Sequence, residues 1–195
     1  MKVVEKETET FCPANRAHWR AWLQEHHADQ QSVWLVYHKK KSATPTLTWS
    51  EAVDEALCFG WIDSLAKSID DHTYRQFFSR RKPTSVWSKI NKEKVKQLIN
   101  NGLMTPAGLT AIDIAKQNGS WTILDDVDAL VIPPDLAAAF QENPNAERYF
   151  LDLSKSDKRV ILQRLVMAKR PQTRQNRIRE LVELAAQGLR QKIRP

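Results

Sequence analysis

The stretch Leu57-Cys58-Phe59-Gly60-Trp61-Ile62-Asp63-Ser64 cannot stay in one secondary structure. Upstream of it, Thr48-Trp49-Ser50-Glu51 is a capping box. The Thr48 hydroxyl accepts the Glu51 amide while the Glu51 side chain reaches back. This predicts a helix over 49–59 with Val53, Ala56 and Leu57 inward. Gly60 follows, the residue type that takes the left-handed conformation just past a helix end. Residues 61–69 then read as a strand, Asp70-Asp71-His72 as a turn, and 73–79 as the returning strand of a hairpin. Ser32-Val33-Trp34-Leu35-Val36-Tyr37-His38, β-branched and aromatic, supplies another strand. With only five glycines among 195 residues, most of the remaining chain is helix-friendly. The expected fold is α+β and predominantly helical: a small antiparallel sheet of about three strands packed with helices, plus a C-terminal helical module.

The other elements follow from their start and stop signals. Pro13-Ala14-Asn15 opens a helix to about residue 27, with Trp19, Trp22, Leu23 and His26 on one face. His26-His27 reads as a solvated pair at its end, since adjacent helical residues point apart and make a poor ligand pair. Residues 39–45 form a basic loop. Pro83-Thr84-Ser85 caps a helix over 86–100, and Thr105-Pro106 starts another that Gly119 ends. Ser154 with Asp157 resembles a capping box for a helix to about residue 170. Pro171 starts the last helix, closed by Gly188. The apolar stripes of these two are Val160, Leu162, Leu165, Val166 and Ile178, Leu181, Val182, Ala185. The domains predicted are residues 11–122, which hold the candidate pocket, an acidic proline-containing linker at 123–134, and a helical module at 135–190. Residues 1–10 read as a frayed tail.

Charge is unevenly spread. The formal net charge is +7, with eight basic residues against one acidic over 75–96 and twelve against three over 155–195. Such asymmetry steers anions or nucleic acid, or simply solvates helix faces. Cys12 and Cys58 make no disulfide framework. The polar N-terminus lacks the apolar core of a signal peptide, and no run is long enough to span a membrane. The expectation is a cytoplasmic protein without membrane insertion. The sequence lacks GxSxG, P-loop, GxGxxG and HExxH patterns, and nothing in it implies a metal or a cofactor.

The candidate site lies where the 57–64 corner meets the basic-aromatic stretch that follows it. Cys58 is the one nucleophile in that corner, but apolar neighbours and a helix C-terminus favour a buried, inert thiol. By strand alternation Trp61 and Asp63 share a face, with Ile62 toward the core, and Arg75, Phe77 and Ser79 share another. An Asp63–Arg75 cross-strand pair would be either a structural ion pair or one side of a polar pocket walled by Trp61 and Phe77. Arg80, Arg81 and Lys82 precede the free amides expected after Ser85, and cations beside a helix N-terminus attract anions. Trp87 would stack on a ligand or sit in the core, and Asn91 completes the candidate set. In the tail, Arg170, Arg174 and Arg177 fall on one helical face, a possible nucleic-acid contact or a solvated surface.

Longer motifs add a resemblance. Trp34-Leu35-Val36 with Lys39-Lys40, Glu55-Ala56-Leu57-Cys58-Phe59-Gly60-Trp61-Ile62-Asp63-Ser64, Phe77-Phe78-Ser79-Arg80-Arg81-Lys82-Pro83, Ser85-Val86-Trp87-Ser88-Lys89-Ile90-Asn91 and Gly102-Leu103-Met104-Thr105-Pro106-Ala107-Gly108 occur in this order. Ile132-Pro133-Pro134-Asp135-Leu136 and Ala168-Lys169-Arg170-Pro171-Gln172-Thr173-Arg174 follow in the tail. Together they resemble the YdeI/OmpD-associated, or bacteriocin-protection, family over residues 11–190. Arg80 stands where that family often has proline. The resemblance implies a role in tolerance to antibacterial peptides or stress and no chemical reaction. Three expectations result: a small anionic ligand in the pocket, nucleic acid on the basic C-terminal helices, or a protein partner docking on the C-terminal module.

Overall fold

The computed structural model describes residues 8–39 and 47–187. The chain divides into two compact units, residues 1–121 and 122–195.

The first unit is a sheet of order β1-β2-β4-β3 with helices against one face. Its strands are β1 (Thr10–Phe11), β2 (Ser32–His38), β3 (Trp61–Ser68) and β4 (Thr73–Arg80). About three antiparallel strands were expected; β1 adds a fourth and runs parallel to β2, making the sheet mixed. The reason is local: the Trp34 amide donates to the Glu9 carbonyl at 2.8 Å, so the segment read as a frayed tail is paired from Glu9 onward. Residues 1–7 and most of the basic loop, residues 40–46, lie outside the described residues.

Helix α1 (Arg16–His26) is capped by Asn15, whose side chain accepts the His18 amide. It buries Trp19, Trp22 and Leu23 against β2 and β4 positions Val33, Leu35, Tyr37 and Phe78. Trp19 Nε1 donates to the Ala52 carbonyl of α2 (Trp49–Cys58), which closes the layer. The predicted Thr48–Glu51 capping box is formed, a contact worth about 1 kcal/mol. Gly60, at φ +73°, ends α2 and launches β3. The opposite face of the sheet presents Ser32, Trp34, Val36 and His38 of β2 and Thr73, Arg75, Phe77 and Ser79 of β4, all partly exposed.

Helix α3 (Lys89–Asn100) is held to α2 by Lys94, which reaches Asp54 at 2.6 Å and Ser50 at 2.8 Å. It begins a turn later than expected, because Ser88 and not Ser85 is its N-cap. Residues 85–87 are fixed instead by their own bonds: the Ser85 amide to the Lys82 carbonyl, and the Trp87 amide to the Ser120 carbonyl. Helix α4 (Pro106–Gln117) has the expected Thr105 cap and first-position proline.

The second unit is helical. Part of the acidic stretch read as linker forms a short helix, α5 (Asp125–Asp128). Then come α6 (Pro134–Gln141), α7 (Pro144–Asp152), α8 (Lys155–Val166) and α9 (Pro171–Ala186). The core contains Leu136, Phe140, Phe150, Leu162, Leu181 and Val182. In α8 the buried stripe is Ile161, Leu162 and Leu165; Val160, expected inward, is exposed. Gly188 lies outside the described residues.

Candidate functional site

A cleft of about 450 Å³ opens where Gly60 passes α4. One wall is Phe59, Gly60 and Trp61, a second is the segment Arg80-Arg81-Lys82-Pro83, and a third is the α4 face of Ala107, Thr110, Ala111 and Ile114. His27 and Ala28 close one end. The small residues at 107 and 111 are what let Gly60 approach: a side chain at Gly60 would meet the Ala107 carbonyl oxygen at 3.1 Å and the Ala111 Cβ at 3.3 Å.

The cations are held in place by the fold. Arg80 Nε donates to the Gln30 carbonyl at 2.8 Å and its Nη2 to the Ala28 carbonyl, which leaves Nη1 without a partner among the described residues. Arg81 Nη1 donates to the Val86 carbonyl at 2.9 Å, and the guanidinium lies 3.7 Å over the Trp87 ring. Burial lowers the Arg81 pKa to about 10, opposed by the charge of Asp63, so the group stays cationic at neutral pH. Its Nε is buried with no hydrogen-bond partner among the described residues. Lys82 is exposed. His27 donates from Nδ1 to the Leu23 carbonyl at 2.9 Å, so it is anchored to the helix end and not freely solvated; its Nε2 carries the remaining lone pair when the ring is neutral. Among the described residues no carboxylate lines the cleft.

Of the residues expected at the site, Trp61, Arg80 and Arg81 line this cleft. Trp61 is wholly buried, with Nε1 donating to the His27 carbonyl at 3.3 Å. Trp61 and Asp63 do share a face, but it is the helix-covered one. The Asp63–Arg75 pair is not made. The hairpin register already sets Asp63 opposite Phe78, three residues along β4 from Arg75, and a bulge between Asp63 and Ala66 then brings Lys67 opposite Arg75. Asp63 accepts from Trp49 Nε1 at 2.9 Å and from Gln76 Nε2 at 3.0 Å; the same Gln76 amide nitrogen satisfies the Ser64 carbonyl in the bulge. Arg75 and Phe77 stand on the other face of the sheet, packed around Trp34. Trp87 is core, covered by Arg81 and Trp121 and closed to stacking on a ligand. Ser85 enters through its carbonyl, 3.5 Å from Arg81 Nη1, and Asn91 lies in the first turn of α3, its amide on Ser88 Oγ. Sequence reasoning passed over His27, Phe59 and the α4 wall; the i, i+4, i+7 series Ala107, Ala111, Ile114 was the available signal.

The chemistry offered is positive charge beside an apolar floor. Cys58 is buried and outside the cleft lining, its thiol pKa raised by burial, which outweighs a hydrogen bond with Arg20. Among the described residues no three His, Cys, Asp or Glu side chains gather as a metal site, and no helix is long and apolar enough to cross a membrane.

In the second unit the tail arginines are structural. Arg174 clamps Asp135 with two bonds, 2.5 and 2.8 Å, and donates to the Leu165 carbonyl. Arg177 donates to the Arg164 carbonyl. Both therefore cap the C-terminal turn of α8, and of the expected basic face only Arg170 stays exposed.

Two family models match the chain. One, described as a domain of unknown function (DUF8412), matches residues 11–111. The other, described as bacteriocin-protection, YdeI or OmpD-associated (OmdA), matches residues 129–188. The N-terminal motifs that carried the resemblance thus fall within the first model and the tail motifs within the second. No curated protein and no solved structure matches the chain.

Proposed function

The chain belongs to the DUF8412 family and carries a YdeI/OmpD-associated module at residues 129–188; since neither description names a reaction, we propose from the geometry that the first unit binds a small anionic ligand in the cleft beside Gly60. The carrying observation is a cleft lined by Arg80, Arg81 and Lys82 with no carboxylate among its described lining residues. Arg80 Nη1 and the Lys82 ammonium meet the anionic group with charge-assisted hydrogen bonds. Ala107, Ala111 and Ile114 take the apolar part. A cleft of this size suits a small molecule. The setting we propose is tolerance to bacteriocins or other stress, on the strength of the family description alone, and a cytoplasmic location, on the strength of two cysteines that make no disulfide framework.

The test is a thermal-shift and calorimetric screen of nucleotides, sugar phosphates and aliphatic carboxylates. A stabiliser is expected whose effect Lys82→Glu and the cleft-filling Ala111→Leu both abolish. A screen without hits, or a hit indifferent to both substitutions, ends the proposal. Arg80→Ala is a poorer probe because Arg80 also ties down Ala28 and Gln30.

A further inference from the structure

We propose that the face of the sheet opposite the helices of its own unit, partly exposed among the described residues, is a stacking platform for single-stranded nucleic acid. The ladder sets Lys67 directly opposite Arg75, and like charges facing each other across two strands repel. Both cations converge on one ring: Arg75 Cζ lies 4.4 Å and Lys67 Nζ 5.4 Å from the centre of Trp34. Neither has a carboxylate or carbonyl partner among the described residues. Phe77 meets Trp34 edge to face at 5.0 Å. None of the outward positions of β2 and β4 is acidic. Two cations without a carboxylate or carbonyl partner among the described residues thus lie over a partly exposed aromatic pair, beside β2 and β4 positions that carry no acid.

The charge and the rings together select the occupant. An acidic peptide would answer the cations but offers no flat ring in register with Trp34 and Phe77. A single strand of RNA or DNA carries a π-face and a phosphate in every repeat, and single-strand binders combine these same two elements. The seven residues of β2 make a face roughly 23 Å long, room for a short run of nucleotides. A base stacks on the Trp34–Arg75 layer while Lys67 and Arg75 take flanking phosphates. Duplexes hide their bases from such a surface. This site is separate from the anion cleft, and the aromatics missing from the basic tail are present here.

Fluorescence anisotropy of the full chain with a labelled fifteen-nucleotide oligo-dT and oligo-U, at low salt, decides it. Binding is expected that weakens linearly on a log–log salt plot and exceeds binding to a duplex of the same length. Trp34→Ala is expected to weaken it about tenfold and Trp34→Phe to retain most of it. Lys67→Glu, at an exposed position, is expected to weaken it at least as much, while Arg170→Ala leaves it unchanged. The proposal is overturned by no binding at low salt, by equal binding of duplex, by indifference to Lys67→Glu, or by loss in Arg170→Ala.

Discussion

The backbone of Gly108 lies so close to the carbonyl of Cys58 that a Cβ added there would be 2.3 Å from its oxygen and 2.8 Å from its carbon. The same oxygen accepts the Thr105 amide at 3.1 Å and the Thr105 hydroxyl at 2.7 Å. The end of α2 is therefore docked on the start of α4, and this contact holds the cleft walls together. Gly108→Ala is expected to cost roughly 1–3 kcal/mol as overpacking and to lower the melting temperature by several degrees. A thermal melt followed by circular dichroism that matched the parent would refute so tight a contact.

Glu55 is buried at 3% exposure and joins two arginines of α1, Arg16 Nε and Arg20 Nη1, each at 2.6 Å. Removing one member of such a cluster strands the others. Because Arg16 and Arg20 are each about a third exposed, water relieves part of that penalty, and Glu55→Ala is expected to cost about 2–3 kcal/mol. Arg16→Ala should cost under half as much, since Arg20 stays to pair the carboxylate. Urea unfolding of both variants checks the ordering; equal effects would contradict it.

The corner from α2 through Gly60 to β3 was legible because its causes are local: a capping box, an apolar stripe and a glycine at positive φ. Three features of the site were not. Alternation tells which residues share a face, but not which face the helices cover; Trp61 and Ile62 are both apolar, and the choice fell the other way. The bulge after Asp63 has no glycine to announce it; the hairpin register sets Asp63 opposite Phe78, and the bulge shifts Arg75 by one residue, onto Lys67. Ser85 and Ser88 are equivalent as caps on paper. Tertiary bonds decided for Ser88: Arg81 takes the carbonyls of Ser85 and Val86, and Ser120 takes the Trp87 amide. The family label of the tail was readable from its motifs, whereas the roles of Arg174 and Arg177 depend on where α8 ends.

The two cysteines are expected to differ in reactivity. Cys12 is exposed and Cys58 buried. Desolvation raises the Cys58 pKa, overriding its contact with Arg20, and so suppresses the reactive thiolate. Titration with a thiol-specific disulfide reagent at pH 7.5 should release one equivalent quickly and the second only on unfolding. Rapid release of both from folded protein would disprove the assignment.

Asp135 supplies a pH dependence in the second unit. Its carboxyl is held below the usual range first by hydrogen bonds from Arg174. A depressed folded pKa stabilises above the unfolded value of about 3.9 and is lost as pH falls through the folded value. Asp135 is nearly half exposed, so the gain is about 1 kcal/mol at most. Helix melts of the parent and Asp135→Asn should differ at pH 6 and converge below pH 3. A constant gap across that range would mean the pair is not the cause.

The sheet order has a consequence for synthesis. Strand β2 pairs with β4 and not with its nearer neighbour β3, and Arg80 closes that ladder on Gln30, fifty residues back. At a ribosomal rate of roughly 5–20 residues per second, β2 emerges several seconds before its partner. Its apolar run Val33-Trp34-Leu35-Val36-Tyr37 is unprotected in that interval, apart from what β1 and α1 cover. Slowing translation between β2 and β4 is therefore expected to lengthen the period in which this apolar strand waits for its partner.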